Sequence, residues 1–74
     1  MSPDKLVMMA NQIATFFKTQ PGVDQARQIA GHLNDFWDPR MRAALAAHAA
    51  AGGAGLDPLV IAAMAEIRVP EEQG

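Results

Sequence analysis

The sequence predicts an all-α fold, a small compact bundle of about four short helices in a single domain spanning residues 1–74. Three observations predict it. Apolar residues recur at spacings of three and four in two long stretches, the period of a helix with one buried side. A capping residue followed directly by proline occurs at Ser2-Pro3, Asp38-Pro39 and Asp57-Pro58, and each pair is a helix-start signal. The segments so defined leave almost no residues for strands.

The first helix opens at Ser2 as cap, with Pro3 as its first residue and Asp4 suiting the positive end of the helix dipole, and runs to about Thr19. Leu6, Met9, Ala10, Ile13, Phe16 and Phe17 build its apolar stripe, with Lys5, Gln12, Thr15 and Lys18 elsewhere. Pro21 and Gly22 break the chain. A second stripe follows at Ala26, Ile29, Ala30, Leu33 and either Phe36 or Trp37, weakly supported by Asp24 and Arg27 three residues apart. This helix ends near Trp37, because Asp38 precedes proline and is pushed out of the helical region. Asp38 then caps the third helix, so FWDPRMR is a helix end, a sharp corner and a new helix start.

The third helix places Met41, Ala44, Leu45 and His48 on one side and stops at Gly52 and Gly53. Asp57 and Pro58 open the fourth, expected from Leu59 to about Arg68 and ended by Val69 and Pro70. Residues 70–74 contain no apolar anchor beyond the proline and are expected to fray.

Length and composition bound what such a bundle can do. Alanine supplies 15 of the 37 hydrophobic residues, leaving 22 side chains large enough to fill a core. Chains below about 70 to 80 residues usually need a disulfide, a metal or a partner to supplement the core. Cysteine is absent, which excludes disulfides, thiolate metal sites and a cysteine nucleophile. His32 and His48 sit in no close-spaced ligand cluster. The net charge of −2 is accounted for by Glu71 and Glu72, and no basic stripe offers the phosphate neutralisation that drives nonspecific nucleic-acid binding. The opening MSPDKLVMMANQIATFF lacks the layout of a signal peptide. The longest strictly apolar run, Leu59 to Ala65, is seven residues, against the roughly 20 that a membrane span requires. The expected compartment is the cytoplasm, with neither membrane nor nucleic acid as partner.

Catalytic routes find no convincing set of groups. GGAG at 52–55 reads as a helix stop rather than a phosphate cradle, since no strand precedes it. The lone serine is the terminal helix cap, so a serine triad is set aside. His48, on an apolar stripe, is either a hydrogen-bonded structural histidine or a base or ligand. His32 has Asp35 three residues on as a possible surface partner.

Two features break local rules. Arg40 and Arg42 place cations in the first turn of the third helix, where the dipole favours anions by about 0.3–1 kcal/mol each. Their compensation is either Asp35 and Asp38 or a carboxylate or carbonyl cluster on another protein. Trp37, beside Phe36, is either a core keystone or an interface anchor, since Trp and Arg are enriched in binding hot spots. The second feature is the absence of any formal charge from Ala43 to Leu56, fourteen residues, where a solvated helix normally shows Glu and Lys. Ala43, Ala46, Ala47 and Ala50 then form either an inert face or one that another backbone approaches closely. The alanine share is read as close-approach surface of this kind, and the all-round apolar 59–65 segment also asks for burial on more than one side.

ANQIATFF (10–17), IAGHLNDFWDPRMR (29–42) and GGAGLDPLV (52–60) resemble the delta subunit of the soluble NAD-dependent, molybdenum-containing formate dehydrogenases. The resemblance spans Lys5 to roughly Ile67, with FWDPRMR its most specific part. It implies an accessory, non-catalytic chain without a cofactor of its own. Such a chain is bound to a catalytic alpha subunit and beta and gamma subunits that hold a molybdenum pterin cofactor, iron–sulfur clusters and FMN and pass electrons from formate to NAD. On this basis the expected partner-binding positions are Phe36, Trp37, Asp38, Arg40, Met41, Arg42, Ala43, Ala47, His48 and Ala50. The alternatives are a dissociable factor for cofactor insertion and, remotely, a helical DNA-binding module, against which the absent basic face already speaks.

Overall fold

A computed structural model describes residues 2–20, 22 and 24–69. Among them lie α1 (Pro3–Lys18), α2 (Gln25–Phe36), α3 (Pro39–Ala50) and α4 (Pro58–Ala63), the last continued by a 3₁₀ turn, Met64–Glu66, and no strand. The expected fraying of 70–74 and the break at Pro21 fall outside the described residues.

The start signals act as their chemistry requires. The Ser2 hydroxyl accepts from the Lys5 N–H, Asp38 from Met41 N–H at 2.8 Å and Asp57 from Leu59 N–H at 2.9 Å, each satisfying a donor that the first helical turn leaves free. Asp24 caps α2 in the same way, accepting from Arg27 N–H at 3.2 Å with its own φ at +61°. The Asp24–Arg27 spacing is therefore a cap and not a side-chain pair. The Arg27 side chain turns instead toward Glu66, 3.4 Å away and solvent-exposed.

The core joins Leu6, Ala10 and Ala14 of α1, Ile29, Ala30 and Leu33 of α2, Trp37, Leu45 of α3, Leu56, and Val60 and Ala63 of α4. Ile29, Leu33, Leu45 and Val60 are completely buried, each stabilising by about 1.5–3 kcal/mol. Four core members are alanines, which let α1, α2 and α4 pack closely, so part of the alanine share serves the interior rather than an outward face. α2 packs most widely against α4 and also against α1, while α1 reaches all three other helices.

Two expectations need correction. The α1 stripe centres on Leu6, Ala10 and Ala14, with Met9, Ile13 and Phe17 packed at its edge. Phe16 lies about 120° around the helix from that centre and is 58% exposed. α4 does not reach Arg68. Asn34 of α2 donates from Nδ2 to the Glu66 carbonyl at 3.2 Å and accepts the Arg68 N–H on Oδ1 at 2.8 Å. These bonds draw the chain out of helical hydrogen bonding, and Ile67 turns extended and packs against the core.

α3 contributes only Leu45 to the fully buried set; Met41 and His48 are half-buried and Ala44 is exposed. The helix closes as expected at the glycines, with the Gly53 N–H donating to the His48 carbonyl at 2.9 Å. Gly53 has φ +65°, and a Cβ there would stand 3.1 Å from Ile61 Cδ1, so both backbone and space call for glycine.

Candidate docking surface

The corner between α2 and α3 is built inward. Trp37 and Asp38 are both extended, which turns the chain between the two helices, and Trp37 is packed into the core with 6% of its surface exposed. Arg42 folds back over the corner, donating from Nη1 to the carbonyls of Trp37 and Asn34 and from Nε to that of Arg68. The expected carboxylate partners are thus replaced by backbone carbonyls of its own chain. Asp38 is occupied as the α3 cap, and no ion pair joins Asp35 to either arginine among the described residues. Arg42 satisfies carbonyls that the end of α2 leaves free, which offsets its unfavourable place in the α3 dipole. Arg40 is exposed and has no carboxylate partner among the described residues.

Two adjacent aromatic pairs each send one ring inward and one outward: Phe16 and Phe17 are helical neighbours pointing about 100° apart, and Trp37 turns inward where the extended backbone leaves α2 after Phe36. Trp37 and Phe17 face the interior, while Phe36 is 74% exposed and Phe16 58%. The outer rings are linked through a ladder: Phe36 and His32 have centroids 4.8 Å apart, His32 and Phe17 6.2 Å, and Phe17 and Phe16 5.2 Å with the edge of one ring toward the face of the other. His32 is therefore held between phenyl rings and not paired with Asp35. Beside the ladder lies a 420 Å³ cleft lined by Met9, Gln12, Ile13, Phe16, Phe17, His32 and Trp37, with no formally charged side chain in its wall. Met8 adds another exposed apolar group to α1. An apolar surface of this kind, rather than singly scattered residues, marks an interaction site.

The expected α3 positions form a quieter surface. Ala47 and Ala50 are exposed, and Ala43 and Met41 half-buried. His48 Nε2 lies 2.8 Å from the Ala54 carbonyl; a carbonyl only accepts, so this nitrogen bears the proton and the ring braces the glycine turn. That is the structural reading of His48. Among the described residues no three His, Asp or Glu side chains converge as a metal site.

Two asparagines that the sequence pattern does not single out tie α1 and α2 to the segment around α4. Asn11 donates from Nδ2 to the Gly55 carbonyl and accepts the Asp57 N–H on Oδ1, both at 2.8 Å. Asn34 does the same for residues 66 and 68, so the segment around α4 is pinned at both ends. The available signal was asparagine in mid-helix, where propensity disfavours it unless the side chain has a partner. The Lys18 ammonium adds an ion pair to Asp57. That hydrogen bond, with the Leu59 N–H, holds the Asp57 carboxyl below the usual aspartate value.

A family model described as NADH-dependent formate dehydrogenase delta subunit FdsD matches residues 5–64. The matched span contains all four helical caps but Ser2, and every member of the buried core. No curated protein matches the chain. No described helix is long and apolar enough to cross a membrane.

Proposed function

This chain belongs to the NADH-dependent formate dehydrogenase delta subunit family, and from that premise we propose that it docks on and stabilises the catalytic alpha subunit of the complex without taking part in the chemistry. Its place is that of an accessory subunit of an oxidoreductase complex. The molybdenum pterin cofactor, iron–sulfur clusters, FMN and NAD belong to the alpha, beta and gamma subunits, in the cytoplasm. The donor set agrees with that division, since the chain has no cysteine to offer a cluster.

The observation that carries the reading is the aromatic ladder ending in Phe36, a large apolar group 74% exposed on a domain whose remaining large side chains are mostly packed. A few desolvated anchors carry most of the binding energy in protein interfaces, and aromatic residues, Phe among them, are enriched there. The ladder also moves the centre of the docking surface. Within FWDPRMR it is Phe36, not the buried Trp37 or the internally bonded Arg42, that is presented outward.

Phe36→Asp tests this. The side chain touches solvent over most of its surface, so the isolated variant keeps its helix content and loses only about 1 kcal/mol to the last-turn dipole and the missing His32 contact, while co-purification with the catalytic subunit and formate-dependent NAD reduction both fall. Unchanged co-purification and activity would remove this face from the docking reading. Absence of the wild-type chain from the mature active complex would favour the dissociable assembly factor instead.

A further inference from the structure

Resting on the docking reading above, we propose that the groove along α1 receives one apolar-faced helix of the formate dehydrogenase complex, three turns long, with an Asp or Glu at one end that pairs with Arg40. The cleft beside Phe16 and Trp37 is followed along α1 by a second groove of 330 Å³ between Leu6, Met41 and Ala44, edged by Asp38 and Arg40. Leu6 is one turn from Met9, and Asp38 follows Trp37, so the two grooves adjoin. Leu6 to Phe16 on one helix spans about 15 Å, the length of some ten helical residues.

The lining selects the occupant. Apart from Trp37 and Asp38 at the corner, the walls are helical side chains whose backbone groups are bonded within their own helices, and the Trp37 N–H and carbonyl are taken by Leu33 and Arg42, so an extended strand finds no ladder to join; a helix arrives with its backbone already satisfied. The cleft carries no charge until Asp38 and Arg40 at its far end. Asp38 accepts from the Met41 N–H. Arg40 stands in the first turn of a twelve-residue helix, where the dipole favours an anion, and has no carboxylate among the described residues. A carboxylate brought in by the occupant complements both, and the planar guanidinium fork suits it. The helix therefore lies with its acidic end toward α3 and large apolar residues at three- and four-residue spacing over Ile13 and Phe16.

The test places a photo-cross-linking phenylalanine analogue at Gln12, in the cleft wall, in the full chain co-expressed with the formate dehydrogenase subunits. Cross-links are expected on one helical segment of the complex with that apolar spacing and a carboxylate within reach of Arg40. Arg40→Glu is expected to weaken association at least tenfold. Arg27→Glu, in a separate groove with Gly31 and Glu66, is expected to leave it unchanged. A carboxylate in the first turn of α3 suits the dipole, so the Arg40 variant does not lose binding by unfolding. Association without cross-links from position 12, cross-links to a second copy of this chain, or an Arg40→Glu variant that binds like wild type would overturn the helix proposal alone. Failure of the wild-type chain to associate at all would overturn the docking reading with it.

Discussion

Asn11→Ala separates the tertiary clamp from everything else in α1. The side chain makes two hydrogen bonds of 2.8 Å, to the Gly55 carbonyl and from the Asp57 N–H, across 44 and 46 residues of sequence. Each bond is worth about 1 kcal/mol net, so their loss costs about 2 kcal/mol. Alanine is a better helix former than asparagine and returns about 0.6 kcal/mol. The expected net loss is about 1.5 kcal/mol, a sizeable fraction of the roughly 4–11 kcal/mol a domain of this size has. Thermal melts followed by circular dichroism should show a midpoint lower by about 6–12 °C. Amide exchange gives the local readout, because the Asp57 N–H loses its acceptor and its protection should fall more than that of the α2 core amides. A midpoint that is unchanged or raised, as propensity alone predicts, would refute the clamp.

Trp37→Ala should destabilise by about 3–5 kcal/mol through the cavity it opens beneath the corner, a large share of the stability of so small a domain, read by the same melts; a loss below 1 kcal/mol would contradict its core position. The Asp57 carboxyl lies below its usual value, chiefly through the Lys18 hydrogen bond. The unfolded chain therefore takes up this proton first on acidification. The contribution is complete above about pH 3.9, the ordinary aspartate value, and is lost as pH falls through the lower folded-state value. Lys18→Met should flatten that part of the acid limb in urea titrations across pH, and an acid limb identical to wild type would show that the pair does not contribute.

Local rules were legible wherever one residue's chemistry acts on its own turn. Ser2, Asp38 and Asp57, with the prolines after them, announced three helix starts, and the spacing of Leu6, Ile29, Leu33 and Leu45 placed the interior faces. Asp24 escaped because its spacing to Arg27 also suits an ion pair, and backbone capping competes for the same carboxylate. The corner motif was visible, but not which of its residues turn outward. Phe16 and Phe17, like Phe36 and Trp37, are adjacent and equally apolar, and periodicity tolerant enough to admit both members of a pair cannot choose between them.

The amino-acid order alone determined an all-α bundle, its corners and its lack of thiol chemistry, because caps, proline geometry and helical period are decided within a few residues. Only the tertiary structure decided that Asn11 and Asn34 pin the segment around α4, that Arg42 bonds its own carbonyls, and that Phe16 and Phe36 face outward. Each of those outcomes joins groups on different elements. A long-range hydrogen bond or a buried ring depends on which neighbour the fold brings against it, and that is set by how four short helices fill one core.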